Sequence, residues 1–504
     1  MKFSTYYDKV RACWLGKNIG GTLGMPREGH RGVFDLSYYT HDLSGGSFPN
    51  DDLDLQLVAL IAAERHGLSL SAEILGEYWL TYVPCDWSEY GAGKSNLRRG
   101  FLPPVSGAFY NGYARSNGAF IRSELWACLC PGDPAQAVKY AFADASVDHS
   151  GEGVYGELFC AAVQSAAFAL SDIPALVEIG LSFLPDDCLL RRCIELVKAC
   201  YREGKDWRVA RKELLQFAPS PFGLRYVYDN DLPDKNPEPD IPMGEVGNDA
   251  ATTVAIAVIG LLWGEGDFDK SLTIAASCGE DTDCTAGFIG AMMGILRGTA
   301  AIDKKWTEPI GIDIKTISVD PSKGGVCRTV VELSDRVSRL MPTFCRERIR
   351  YGEGCEPEVT MPARDALDRP IKLGLFEYAD KRTFLSTTPL FVEKSCAVFD
   401  ARLSFASVEL PEDGVCRLTL TAYNHHDRPE WLRLKWHLPS GVSVSGGSES
   451  SFYMDQFTGI TKLSSKSYTL CTEGFESGEL SLLLEISIPG RPTRLFLPVT
   501  FFKG

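Results

Sequence analysis

The sequence predicts a multidomain chain, an all-α domain over residues 1–350 followed by a C-terminal β-sandwich over residues 360–504. Three observations predict it. Apolar residues recur at helical spacing from Thr5 to about Arg346, the composition shifts at Gly352 to Pro362 (GEGCEPEVTMP), and apolar and polar residues alternate with period two after it. At 504 residues, 45% of them hydrophobic, the chain is long enough for one large core and a second, smaller one.

Within the first part, Leu53 to His66 carries Leu53, Leu57, Leu60 and Ile61 on one face and stops at Gly67, a helix-ending signal. Ala72 to Tyr82, Ala135 to Ala143, Gly156 to Leu170, Leu189 to Glu203, Asp249 to Trp263, Phe268 to Ala276 and Thr285 to Leu296 read as further helices. The last of these spaces Gly287, Gly290, Ala291, Gly294 and Gly298 three to four residues apart, which predicts close packing against another backbone. Residues 218–242 are dense in Pro and Asp without periodicity and predict a long surface loop. In the tail, Arg417 to Tyr423, Trp431 to Leu438 and Glu479 to Ile488 alternate as strands between turn residues. Trp431, Trp436, Phe452 and Tyr453 there are expected mainly in the core, with sugar stacking as the other use of such rings.

Charge narrows the partners. Lys and Arg total 51 against 66 Asp and Glu, a net charge of −15, and no basic run could track phosphates, so nucleic acid is not expected. The longest apolar runs fall short of the ~18 uncharged residues of a spanning helix, so no membrane partner is expected. The start, Met1 to Lys9, lacks an apolar signal segment, and the 16 Cys form no paired CxxC motifs. Reduced thiols and a cytoplasmic location are the expectation. The sequence is silent on oligomeric state.

Two acidic clusters each lie directly before a helix, Asn50-Asp51-Asp52-Leu53-Asp54 and Gly279-Glu280-Asp281-Thr282-Asp283-Cys284. One Asp or Asn at such a place is accounted for as a helix cap. Each cluster has carboxylates beyond the one that can cap, and the surplus points to a cation. Carboxylate and amide oxygens suit Mg²⁺ or Mn²⁺, and four carboxylates brought together ionise fully only against compensating positive charge.

Three other segments have chemistry-bearing residues. In Gly20 to Gly29 (GGTLGMPREG), small residues precede Glu28 on a turn bounded by Pro and Gly, and the segment lacks the Lys-Ser/Thr ending of a phosphate loop. Taken alone, Glu28 reads as a surface turn residue. Arg115-Ser116-Asn117-Gly118-Ala119 reads as a helix start able to offer amides to an anion or a sugar, and His149 sits in a loop before another helix, the usual place of a surface histidine.

In order, these segments resemble the ADP-ribosylglycohydrolase family, which includes the dinitrogenase reductase-activating glycohydrolases. The resemblance rests on GGTLGMPREG, NDDLDLQ at Asn50 to Gln56, RSNGAFIR at Arg115 to Arg122, His149, and GEDTDC before a Gly-rich helix, and it covers roughly residues 8–300. It implies an all-α fold with a cleft holding two divalent cations, Mg²⁺ or Mn²⁺, that bind ribose hydroxyls and a water. Carried over by position, Asn50, Asp51, Asp52, Asp281, Asp283 and Cys284 form the metal shell, with Asp52 also acting on the water. Glu28 lies on a gating loop as a mobile catalytic carboxylate, and Ser116, Asn117, Gly118 and His149 bind substrate. Two positions depart from the family pattern: Asn50 stands where Thr is usual, and Cys284 where Thr or Ser is usual. A neutral thiol is a poor Mg²⁺ ligand and tilts preference toward Mn²⁺.

The resemblance implies hydrolysis of an ADP-ribosyl bond on a protein or small molecule. Two other readings stay open: a hydrolase of another glycoside or oligosaccharide using the same metals, suggested by the sandwich, and a non-enzymatic binding or structural protein on the same fold.

Overall fold

The first helix, Phe3–Gly24, is buried from Ala12 to its end on every side, so its sequence carries no polar stripe to mark it. In the computed structural model, which describes residues 1–221, 236–244, 248–352, 356–367, 390–456, 463–472, 475 and 478–503, this helix lies against the helix Thr282–Arg297. Glycines set the closeness of that pair. A Cβ on Gly16 would stand 1.9 Å from the carbonyl oxygen of Gly290, one on Gly20 2.0 Å from that of Ala286, and one on Gly24 2.2 Å from that of Thr282. From the other side, Cβ atoms on Gly290 and Gly294 would stand 2.0 Å from Gly16 O and 2.2 Å from Ala12 O. The predicted small-residue stripe is thus a backbone-to-backbone contact, and the first helix is its partner.

Helices Asp51–His66, Ala72–Tyr82, Pro134–Ala145, Glu152–Ala166, Leu189–Arg202, Ala250–Gly264 and Phe268–Ser277 stand where the apolar spacing places them. Ser88–Arg98, Ser123–Leu129, Ile173–Ser182, Trp207–Phe217 and Val330–Cys345 add to them. Of the expected surface loop, residues 222–235 lie outside the described residues, as do 353–355 in the segment where the composition shifts. By contacts the chain divides into two compact units, Met1–Ser95 with Pro103–Ile371, and Asn96–Leu102 with Lys372–Gly504.

In the second unit, the described strands form two antiparallel sheets. The five-stranded one runs in the order Phe391–Ser395, Phe399–Phe405, Val415–Asn424, Leu463–Cys471, Ser443–Val444, and the four-stranded one in the order Arg494–Lys503, Gly478–Ser487, Glu430–His437, Glu449–Met454. Leu403, Leu420 and Tyr468 of the first sheet and Trp436, Leu484 and Leu497 of the second belong to one buried cluster. Alternation then assigns the tail aromatics. Trp436 and Phe452 are buried as expected, whereas Trp431 and Tyr453 are paired in register, exposed, with ring centroids 5.3 Å apart.

Candidate functional site

The helices Asp51–His66 and Thr282–Arg297 start side by side, and the capping pattern shows which of their polar residues are free for other work. Asn50 caps the first, its side-chain oxygen accepting the Asp52 N–H at 2.7 Å. Asp281 occupies the capping position of the second but makes no side-chain cap bond. The Asn50 amide donates to Asp283 Oδ2 at 3.3 Å, joining residues 233 positions apart, and the Cys284 thiol donates to Asp52 Oδ1 at 3.3 Å. Asp281 Oδ2 accepts from the Asn117 amide, and Asp51 Oδ2 from the Tyr90 hydroxyl at 2.7 Å.

Asp52, Asp281 and Asp283 are almost fully buried and Asp51 half-buried. Burial is the main cause that raises Asp51 above, and Asp52 and Asp283 well above, the ordinary carboxylate range, and their acidic neighbours add to it. Asp52 Oδ2, Asp281 Oδ1 and Asp283 Oδ1 are buried without a hydrogen-bond partner among the described residues. Ligand atoms of Asp52, Asp283 and Cys284 lie within 4.8 Å of one another. Around one divalent ion at ~2.0–2.3 Å, ligand atoms stand roughly 3–4.5 Å apart, so the residues present fit a cation. Asp54, four residues from Asn50, takes no part. It turns away to accept the backbone N–H groups of Ile317 and Ser318 at 2.7 and 2.8 Å.

Beneath Asp52 lies a cation that sequence reasoning missed. Lys17, 1% exposed, places its ammonium 3.7 Å from Asp52 Oδ2 and 3.3 Å from Glu124 Oε1. Burial would lower it, but Glu124 and Asp52 hold it above its ordinary value, as a protonated lysine. Glu124, fully buried, also accepts from Gln56 at 2.8 Å and Gln164 at 3.0 Å. A lysine inside a run of small and apolar residues was the available signal for Lys17. Gln56, one helical turn after Asp52, was legible by spacing, while Tyr90 and Glu124 had no local mark.

Arg115 to Ala119 is a turn rather than a helix start, leading into the single turn Phe120–Arg122 and the helix Ser123–Leu129. Asn117 reaches the acidic cluster, and Ser116 does not. Ser116 Oγ is 2.9 Å from His149 Nε2, whose ring Nδ1 stands 2.8 Å from Asp148 Oδ1. His149 is fully buried, not a surface residue, because Asp148 and the turn at Ser116 enclose it. Burial would raise the Asp148 carboxyl, but Arg122, at 2.9 and 3.3 Å, and His149 hold it below its ordinary value. Gly118 has no room for a side chain, since a Cβ would meet Glu89 Oε1 at 2.1 Å. Glu89, 5% exposed, is pushed up to about 7 by burial. Next to Ser116 opens a cavity of about 640 Å³ whose walls include Asn111, Tyr113, Arg115, Glu152 and Asp249.

Glu28 follows the short turn Met25–Arg27 and is half-buried, near enough to Asp283 to help raise it. The residues after it are tied to the second acidic cluster. Gly29 N–H donates to Glu280 O and Glu280 N–H to His30 O, both at 2.9 Å, and Arg31 reaches Glu280 through two nitrogens at 2.8 and 3.2 Å. Glu280 has a φ of +64° and is fully buried.

The segments that converge here, from the first helix to the Gly-rich one, all lie within residues 3–339, which match the family model described as ADP-ribosylglycohydrolase. The chain belongs to the ADP-ribosylglycohydrolase family. That is a family of hydrolases, and its model ends before the strands of the second unit. Among solved structures the chain is similar to one described as an ADP-ribosylglycohydrolase-related protein complex, 18% identical, covering 68% of this chain and 99% of that one at a TM-score of 0.37. Another is the GAE domain of GGA2p from Saccharomyces cerevisiae, 10% identical, covering 22% of this chain and 96% of that one at a TM-score of 0.14. No curated protein matches the chain. No described helix is long and apolar enough to cross a membrane, and among the described residues all cysteines are free thiols.

Proposed function

We propose that this chain is a divalent-metal-dependent glycohydrolase that cleaves the ribofuranosyl bond of an ADP-ribosyl group carried by a protein or small molecule. The observation that carries this reading is the set of buried carboxylate oxygens of Asp52, Asp281 and Asp283 without hydrogen-bond partners among the described residues, in a chain of this family. Lys17 and Glu124 cancel each other's charge, which leaves Asp51, Asp52, Asp281 and Asp283 to be balanced, and two divalent cations, Mg²⁺ or Mn²⁺, would do so. Asn50, Asp51, Asp52, Asp281, Asp283 and Cys284 would hold them. Bound there, the cations would supply charge stabilisation to the sugar hydroxyls and lower the pKa of a water.

The rest of the chemistry belongs to the protein. Asn50 and Asn117 fix the carboxylates of Asp283 and Asp281, so these ligands need no rearrangement when the sugar arrives. Asp52 orients the attacking water toward the anomeric carbon, and Glu28 gives a proton to the leaving group as the bond breaks and oxocarbenium character develops. Ser116, Asn117, Gly118 and His149 would bind the substrate: Asn117 touches the acidic cluster, Ser116 lines a cavity large enough for the remainder of the ADP-ribosyl unit, and His149 holds Ser116. The Ser116 hydroxyl, fixed by His149, offers its proton or lone pairs there. The two sheets of the second unit face each other in our reading as a sandwich that serves as an accessory domain, and we place the protein in the cytoplasm, where its thiols stay reduced.

Calorimetric titration of ADP-ribose into the Mn²⁺-loaded protein tests the reading, with Asp281→Ala as the control. Binding in the micromolar range that the variant lacks is the expected result. Absence of ADP-ribose binding by a protein that holds Mn²⁺ would refute the substrate and turn the search to other glycosides.

A further inference from the structure

The donor atoms of Asp52, Asp283 and Cys284 are not all of one kind. Two are hard carboxylate oxygens and the third is a soft sulfur, 3.3 Å from Asp52 Oδ1 and 8% exposed. A thiol at this place could be a space-filling donor and nothing more. Against that stands Asp283, 3% exposed, whose Oδ1 lacks a hydrogen-bond partner among the described residues although its ligand oxygen is within 4.8 Å of the sulfur. Asp281 is held alike, its Oδ2 accepting from the Asn117 amide and its Oδ1 without a hydrogen-bond partner among the described residues, and Asp51 accepts from the Tyr90 hydroxyl, but the group of ligand atoms around the sulfur is that of Asp52 and Asp283.

Resting on the metal-centre reading above, we propose that Cys284 makes the two cation positions chemically unequal. The corner formed by Asp52, Asp283 and Cys284 selects a thiophilic divalent cation of the Co²⁺ or Zn²⁺ class, and the corner near Asp51 and Asp281 keeps the oxygen preference of Mg²⁺ or Mn²⁺. On binding, the S–H bond breaks, a sulfur–metal bond forms and the proton leaves to solvent, with no change of oxidation state. Soft thiolate donors discriminate strongly among first-row ions, whereas carboxylates of one site hardly do. The carboxylates supply charge for any divalent ion, and the sulfur supplies the choice among them.

The test is to strip the full-length protein of metal, titrate it with Co²⁺, and follow bound cobalt by equilibrium dialysis beside the near-ultraviolet sulfur-to-cobalt charge-transfer band. We expect the band to saturate when half of the bound cobalt is in place, and Zn²⁺ to erase it at concentrations at which Mg²⁺ does not. Cys284→Ser should abolish the band, leave the other position filled, and weaken cobalt binding at this corner by about tenfold or more. X-ray absorption of the cobalt-loaded wild type, with a sulfur neighbour expected at ~2.3 Å, gives an answer that does not depend on the variant folding. Cobalt bound without a band or a sulfur neighbour would overturn this inference and leave the metal centre standing. Failure to bind cobalt, Mn²⁺ or Mg²⁺ at all would overturn both.

Discussion

Replacing Gly20 by Ala adds one methyl group at a place where the structure leaves none. The new Cβ would stand 2.0 Å from the Ala286 carbonyl oxygen and 2.3 Å from its carbon. An ordinary contact is about 3.5 Å, and the obstacle is backbone, so the two helices have to part by roughly 1 Å or more. Overpacking of this kind costs ~1–3 kcal/mol, against about 1 kcal/mol gained from the better helix propensity of Ala. Gly16→Ala and Gly24→Ala meet backbone at 1.9 and 2.2 Å and should lose comparable stability. Their effects on the site should differ. Eight residues of helix span ~12 Å, and Gly24 packs on Thr282 and Asp283 at the acidic cluster while Gly16 packs two turns away on Gly290. Thermal unfolding with and without Mn²⁺, with calorimetric Mn²⁺ affinity, reads both quantities. All three variants should melt lower than wild type, and Mn²⁺ affinity should fall progressively from Gly16→Ala through Gly20→Ala to Gly24→Ala. Unchanged melting in Gly20→Ala, or equal affinity losses across the series, would refute the argument.

Asp281→Ala should abolish both turnover and the stabilisation by Mn²⁺, which in the wild type amounts to about 2.7 kcal/mol at a hundredfold excess over Kd. Lys17→Met leaves Glu124 buried without its counter-charge and should cost ~3–5 kcal/mol in chemical denaturation, even in protein that carries no metal. Asp51, Asp52 and Asp283 are raised in the folded protein, so their stabilising contribution is full below the unfolded value near ~3.9 and is lost as pH rises through their folded values. Metal-stripped protein should therefore melt progressively lower from about pH 4 toward neutrality, and saturating Mn²⁺ should remove that decline.

What could be read from the residues depended on whether the signal was local. Helices with an apolar stripe, such as Leu53 to His66, announce themselves, and so do alternating strands such as Trp431 to Leu438. The helix Phe3–Gly24 does not, because burial on every side removes the stripe and four glycines lower its propensity. The acidic clusters were legible as surplus carboxylates. That they meet was not, because chain separation carries no distance, and the resemblance to the family supplied it. His149 was misplaced at the surface because a loop position says nothing about what covers it. The partners that set the electrostatics, Lys17, Glu124 and Tyr90, come from three different helices and have no motif in common.

The resemblance implied a mobile glutamate on a gating loop, yet in this chain the backbone around Glu28 is moored at both ends. Upstream, Gly24 is wedged on Thr282 and Asp283, and Thr282 donates its hydroxyl to Gly24 O at 2.7 Å. Downstream, the paired bonds of Gly29 and His30 to Glu280 and the buried Arg31–Glu280 ion pair close the segment. A carboxylate hung between two such anchors has its own side-chain bonds as its nearest freedom to turn. The same stretch of chain that packs on Thr282 and Asp283 and bonds to Glu280 also carries Glu28, the residue proposed above as proton donor, so any strain on one is felt by the other.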